Sequence, residues 1–381
     1  MRTPFPRIPA QTPSIFSELL VRYPPRFDLT VSNPTTAGFN YPHEEIGAAL
    51  AKGCVGVYEP DAQGLISARE AVASLYKSSI STDDILLTAS TSEAYGFIFR
   101  TLCAPGDNII QIAPSYPLIE HLAELEAVHV RVVESVYEGR WITDIESIAA
   151  CIDERTRAIV LVCPNNPTGH RPSDAEVHAL ADLAQRTGLP LIVDEVFATY
   201  GFRKPQCGIA EMIENTPALV LDGLSKRCGM PHLKLGWICV RGPAAFRREM
   251  MQALSWTSDQ VLSVSTPVQR ALPELLNIGE KIHAQIFSRI RHNRQTLETL
   301  VRDFPACTLY DADGGWYGLV RVPALQSEEH LIAKHLEHHG VWLHPGAFYD
   351  LNKGVHGVVS LLTKPDVFAE GMRITFQLDG V

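Results

Sequence analysis

From Ile85 onward the chain repeats one pattern: a short run of β-branched and apolar residues, a stretch with helical spacing, then another short run. The runs are Ile85-Leu-Leu-Thr88, Asn108-Ile-Ile-Gln-Ile-Ala113, Val128-His-Val-Arg-Val-Val133, Ala158-Ile-Val-Leu-Val-Cys163, Leu191-Ile-Val-Asp194 and Ala218-Leu-Val-Leu-Asp222. Segments this short and this apolar suit strands covered on both faces rather than half-exposed ones. Helical spacing appears in Ser67 to Tyr76 and again in Ser173 to Gly188. The second begins with a Ser173-x-x-Glu176 capping box and ends on a glycine. A sheet with two apolar faces needs helices on each side, so the alternation predicts an α/β unit with a mostly parallel sheet sandwiched by helices.

A chain of 381 residues, 46% of them apolar, exceeds what one core usually holds. Its character changes near residue 275. A long amphipathic helix is expected from Leu275 to Arg302, then a strand in Gly314-Gly-Trp-Tyr-Gly-Leu-Val-Arg-Val322, then a helix from Glu328 to His339. The expected organisation is a large domain over 46–275 and a smaller α+β domain over 276–381. Residues 1–45, rich in Pro, Thr and Asn, form an N-terminal arm expected to pack on the small domain.

Acidic residues outnumber basic ones by 43 to 33, a net charge of −10, and no basic stripe interleaves with aromatics. Nucleic acid is therefore not an expected partner. Neither GxGxxG nor a Walker A pattern is present. Prolines interrupt Met1 to Pro9 where a signal peptide needs an apolar stretch, and no run of eighteen apolar residues follows, so no membrane partner and a cytoplasmic location are expected. The eight cysteines (54, 103, 151, 163, 207, 228, 239 and 307) are scattered with no CxxC pair, which predicts buried free thiols rather than disulfides or a zinc site. His335, His338 and His339 read as a solvated helix face and not a metal cluster, and no metal is expected. Trp256, Trp316, Trp342 and Tyr317 read as core or pocket lining.

Chemistry concentrates at the ends of the predicted strands. Lys226, in Leu221-Asp-Gly-Leu-Ser-Lys226-Arg, follows one apolar strand, and Asp194 closes another. An amine and a carboxylate placed in this way are the two groups a pyridoxal phosphate site requires, one to hold the aldehyde and one to keep the ring nitrogen protonated. The turn Pro164-Asn-Asn166-Pro-Thr-Gly169 follows a third strand, where an α/β sheet places its ligand contacts.

Taken in order, the Asn166 turn, Asp194, Ser225-Lys226 and Lys234 resemble fold-type I pyridoxal phosphate-dependent enzymes of the aminotransferase class I/II family. Upstream and downstream segments extend the resemblance over nearly the whole chain. They are Tyr58 with the following Gly and Arg-helix, Thr88-Ala-Ser-Thr-Ser-Glu-Ala94, Pro114-Ser-Tyr116, Gly314-Gly-Trp-Tyr317 and Gly340-Val-Trp-Leu-His-Pro-Gly346.

The resemblance implies a role for each residue. Lys226 forms the aldimine with pyridoxal 5'-phosphate and then acts as the base at the substrate α-carbon, while Asp194 pairs with the ring nitrogen. Asn166 donates to the ring oxygen and approaches the substrate, and Tyr116 stacks on the ring. Ser90, Thr91 and Ser92 at a helix start, with Ser225 and Lys234, hold the phosphate. Tyr58 crosses to a neighbouring subunit, which implies a homodimer.

Four positions depart from the family pattern. Phe197 stands where a tyrosine usually bonds the ring oxygen. Lys234 replaces the usual phosphate-binding arginine, and Gly223 a serine. Read back without gaps from the last helix at Pro365, Val358 occupies the place of the arginine that grips the substrate carboxylate, with Arg373 as the competing candidate. Asn33, in Ser32-Asn-Pro-Thr, resembles a stretch lining the entrance and is a further substrate candidate. The function implied is transamination between an amino acid and a 2-oxo acid. The alternatives are a lyase, cyclase or decarboxylase reaction with the same cofactor, since the cofactor alone does not choose which bond breaks. A cofactor-binding regulator is a third reading, which the acidic charge and the short Pro-rich arm disfavour.

Overall fold

The computed structural model describes residues 15–77, 80–203, 208–323, 326–351 and 353–377. Each predicted apolar run is a strand, and together they lie in one sheet of seven. From edge to edge the strands are Ile85–Thr88, Gly236–Arg241, Ala218–Gly223, Leu191–Asp194, Thr156–Val162, Asn108–Ala113 and His129–Glu134. All run parallel except Gly236–Arg241, which pairs antiparallel with both neighbours. That strand was not among the expected runs, and its insertion brings Gly236 opposite both Thr88 and Gly223.

The central strands are buried along their whole length, as two covered faces require. Helices Thr91–Leu102 and Asp174–Thr187 belong to the covering layers. The second has the expected capping box of Ser173 and Glu176 and ends at Gly188 in the left-handed conformation, φ 72°.

The long helix runs from Thr266 to Leu300, so it starts well before Leu275, and it carries Pro273 inside. Beyond it lies an antiparallel four-stranded sheet ordered Thr308–Leu309, Tyr317–Val322, Val355–Ser360 and His344–Pro345. The N-terminal segment adds Phe27–Asp28, parallel to Val341–Trp342. It then passes Ser360, whose backbone N–H donates to the Leu29 carbonyl at 2.6 Å and whose hydroxyl donates to the Val31 carbonyl at 2.5 Å. The last helix, Pro365–Phe376, contains Arg373.

Some expectations fail on burial. Trp256 is 72% exposed and lines no core. His335 is buried, so only His338 stands exposed on that helix face. Among the described cysteines, all free, Cys54 is exposed and Cys103 and Cys151 are half-buried. Cys207 and residues 1–14 of the arm lie outside the described residues. Among the described residues no helix is long and apolar enough to cross a membrane.

Candidate active site

The carboxyl ends of five parallel strands meet at one place. Thr88, Ala113, Val162, Asp194 and Gly223 each end a strand, and the residues that follow supply Ser90, Tyr116, Asn166 and Lys226. This is the edge at which an open α/β sheet binds its ligands.

Lys226 sits in a helix of only four residues, Leu224–Arg227, directly after Gly223. Its Nζ lies 5.2 Å from the centre of the Trp316 ring, which is fully buried. Burial lowers the pKa of this amine, and the charge of Asp194 opposes the shift. Asp194 is buried as well, and burial pushes its carboxyl up to about 6. It is held by the Val196 N–H on Oδ1 and the Tyr95 hydroxyl on Oδ2, both at 3.2 Å. Without a partner cation, amine and carboxyl are both driven toward their neutral forms, and a buried cation at Asp194 would reverse that.

Ser90 caps the helix Thr91–Leu102 by accepting the Glu93 N–H at 3.2 Å, and its carbonyl accepts the Ala94 N–H. The Thr91 and Ser92 amides of the first turn have no carbonyl within the helix and are available to an anion, which the helix dipole favours. Gly236 closes the gap to the other side of this cup. A Cβ there would come within 3.1 Å of the Asp222 carbonyl and 3.2 Å of the Ser90 backbone. Gly223 is equally restricted, since a Cβ would fall 2.9 Å from the Gly236 Cα, so a serine side chain has no room. Ser225 is half-buried in the Lys226 helix. Lys234 is exposed in the left-handed conformation, φ 51°, two residues before Gly236.

Asn166 is buried, and its side-chain oxygen has no hydrogen-bond partner among the described residues. An orphaned polar atom in a buried turn marks a place for a ligand group. Tyr116 is 41% exposed, and burial of its phenol together with the Asp194 charge raises its pKa. Phe197, where a phenol was expected, is buried with its ring 5.4 Å from Trp316 and 6.3 Å from Tyr317.

Other expected residues make no polar contact with these groups among the described residues. The Asn33 side chain is exposed and occupied in a turn, accepting from the Thr35 amide at 3.1 Å and hydroxyl at 2.8 Å. Arg373 is paired with Glu370 at 2.6 Å, and both side chains are nearly half exposed, so it is no substrate clamp in this arrangement. Val358 is fully buried in the strand Val355–Ser360, clustered with Trp141, Tyr310, Leu319 and Tyr349. Tyr58 is 65% exposed and lines a crevice with Leu87, Ser258 and Gln269, apart from Lys226.

Four neighbours were not found from sequence. Trp316 was read only as general lining, and Tyr95 lay unmarked inside a helix. The remaining two, Asp222 and Arg227, form a buried ion pair next to Lys226, with Arg227 Nε 2.7 Å from Asp222 Oδ2. An aspartate ending the apolar run Ala218 to Leu221 was the available signal. The donors present fit pyridoxal phosphate: amides and hydroxyls for a phosphate, a carboxylate for a ring nitrogen, an unpartnered amide side chain for a ring substituent, and an amine for the aldehyde.

Residues 27–364 match the family described as aminotransferase class I and II. The chain is 30% identical over 264 residues to the probable aminotransferase TAT1 of Arabidopsis thaliana, covering 67% of this chain and 59% of that protein. It is also 30% identical to the S-alkyl-thiohydroximate lyase SUR1 of the same plant, covering 67% and 57%. The chain thus spans less than two thirds of the length of these relatives. Among solved structures, a Thermus thermophilus aspartate aminotransferase double mutant superposes with a TM-score of 0.85 at 23% identity, covering 99% and 100% of the two chains. At that identity the likeness shows the fold.

Proposed function

The chain belongs to the aminotransferase class I and II family of pyridoxal phosphate-dependent enzymes, and from that premise we propose that it is a transaminase moving an amino group between an amino acid and a 2-oxo acid. The observation that carries this reading is the half-buried Lys226, its Nζ over Trp316 and within reach of the charge of buried Asp194, at the strand ends that also supply Ser90 and Asn166.

When bound, the cofactor supplies an aldehyde for amines and a pyridinium ring that takes up an electron pair. The protein's own residues do the remainder. Asp194, ionised next to a ring cation, keeps the proton on the ring nitrogen, and the Tyr95 hydroxyl and Val196 N–H hold its two oxygens in place. Burial lowers the pKa of Lys226, which favours its role as the base that takes a proton from the substrate α-carbon. Ser90, Thr91, Ser92, Ser225 and Lys234 would hold the phosphate, and Asn166 would bond the ring oxygen. Tyr116 would stack on the ring, and the buried Trp316 and Phe197 would help exclude water.

Two domains, 46–275 and 276–381, with residues 1–45 as an arm on the smaller, belong to the same proposal. So does a homodimer. Val55, Val57, Tyr58 and Trp256 are all more than half exposed, and a second copy would cover them. Arg270 donates to the Val55 and Val57 carbonyls and so fixes the loop that presents Tyr58. Free cysteines suit a cytoplasmic location.

The test is to add single amino acids with a 2-oxo acid to the loaded protein and identify products by mass spectrometry. A new amino acid with the matching 2-oxo acid is the expected result. Ammonia, carbon dioxide or a cyclised product would replace the proposal with a lyase, decarboxylase or cyclase reaction.

A further inference from the structure

Behind Lys226 lies a second pair of charges that the proposed reaction does not use. Arg227 Nε and Nη2 lie 2.7 and 2.5 Å from Asp222 Oδ2, and the Gly223 N–H donates to Oδ1 at 2.7 Å. The Asp222 side chain is 1% exposed and that of Arg227 19%. Asp222 is in the strand Ala218–Gly223 and Arg227 ends the helix Leu224–Arg227, so the pair closes a loop around the residues that include Lys226. On the other side the Tyr200 hydroxyl donates to the Lys226 carbonyl at 2.7 Å.

A four-residue helix is too short to hold its own shape, so its orientation comes from such anchors. Successive side chains on a helix diverge by about 100°. Fixing Arg227 toward Asp222 therefore fixes the direction in which Lys226 leaves the same turn, toward Asp194 and Trp316. The choice of arginine has a second consequence. Asp222 raises the pKa of both Asp194 and Glu195, and Arg227 acts against Asp222. The groups acting on Asp194 are Tyr95, Tyr116, Asp222 and Lys226. Those around Arg227 are Asp222, Glu195, Tyr76, Tyr200, Cys228 and His283.

We infer that Asp222 and Arg227 are positioning residues: their ion pair pins the short helix that aims Lys226. This rests on the proposed role of Lys226. Stability alone is a poor explanation for the pair, because a buried ion pair can commonly be exchanged for uncharged side chains with little loss of stability.

The experiment uses the full chain. In the double variant D222N/R227M, hydrogen exchange of the cofactor-free protein is expected to speed up across residues 224–229 while the melting temperature stays near that of the parent. With cofactor, kcat is expected to fall about tenfold or more with little change in KM. D222N removes the charge that raises Asp194 and shifts the acid limb of the kcat profile down, which loosening of the helix alone does not do. R227K keeps the charge with fewer contacts and only partly restores kcat. Unchanged exchange in 224–229 and a kcat within about twofold of the parent in the double variant would overturn the proposal. So would an acid limb in D222N that does not move down. If the double variant does not fold, R227K decides, and parental kcat in it counts against the proposal. Failure of the transaminase reading is separate, since it appears in the products of the parent, whereas exchange is read without cofactor.

Discussion

The two sheets that supply this site are built from different materials. The seven-stranded sheet contributes buried charge: Asp194, Glu195, Asp222, Lys226 and Arg227 lie within a few residues of two adjacent strand ends. The four-stranded sheet contributes rings and methyls: Trp316, Tyr317, Leu319, Val358, and Tyr349 beside them. Burial and neighbouring phenols raise Tyr317 to about 12 and Tyr349 higher still, with no cation acting on either. Both phenols therefore stay neutral. One half of the site is made to hold and move protons, and the other to shape a space. A large effect on rate is expected only from the first half.

The sharpest test of that division is Asp194→Asn. The amide keeps the shape: its oxygen can still accept from the Val196 N–H and its NH2 can donate to the Tyr95 oxygen, but it cannot stabilise a protonated ring nitrogen. A loss of about 10²–10³-fold in kcat is expected, comparable to removing one preorganised electrostatic partner, with KM little changed. Steady-state kinetics at saturating cofactor read it. A loss below about tenfold would mean that the buried charge is structural, and the comparison between the halves would fail.

The next effect appears in stability rather than rate. Glu195 accepts the Ile209 N–H at 2.6 Å and lies in the same buried layer, where burial pushes its carboxyl up to about 7. A carboxyl raised in the folded state binds a proton that the unfolded chain has released. Its penalty is absent below the ordinary range near 4.5, grows as pH rises, and is complete above about 7. Glu195→Gln should therefore stabilise the cofactor-free protein at pH 8, by on the order of 3 kcal/mol at most, and do nothing near pH 4. On the other sheet, His356 is lowered to about 4 by burial and stays neutral throughout that window. The unfolded chain takes up a proton at this imidazole below the ordinary value near 6.5, so denaturant unfolding across pH 5–8 should respond to Glu195→Gln at the alkaline end and to a neutral replacement of His356 only at the acid end.

The same contrast explains what could be read before any coordinates. The charged half is written in contiguous words, Leu-Ile-Val-Asp194 and Leu-Ser-Lys226, because a strand end and the residues after it are neighbours in both sequence and space. The alternation of strands was legible for the same reason. The antiparallel strand Gly236–Arg241 was passed over because it follows the site motif directly, so the periodic run was absorbed into that motif. The uncharged half is assembled from Tyr116, Tyr317, Tyr349 and Val358, which come from separate elements, and pairing across strands leaves no local signature. Arg373, the competing candidate for the carboxylate, was suggested by the likeness of Met-Arg-Ile-Thr-Phe to a family signature; it lies in the last helix and is paired with Glu370.

The smallest effect is expected where the uncharged half carries a polar link near Val358. The Tyr349 hydroxyl and His344 Nδ1 are 3.1 Å apart, and His344 faces Val358 across the strand pair. Burial lowers the pKa of His344, so the imidazole is neutral and can accept from the phenol. Tyr349→Phe removes that donor and leaves a buried nitrogen unpaired, at a cost of about 1–3 kcal/mol in stability. If this sheet only shapes the space, kcat should stay within about twofold and any change should fall in KM, by a few-fold, for substrates large enough to reach the ring. A loss of kcat approaching that of Asp194→Asn would show that a neutral phenol shares in proton transfer. The division between a reacting sheet and a shaping sheet would then be wrong at the point where the two meet.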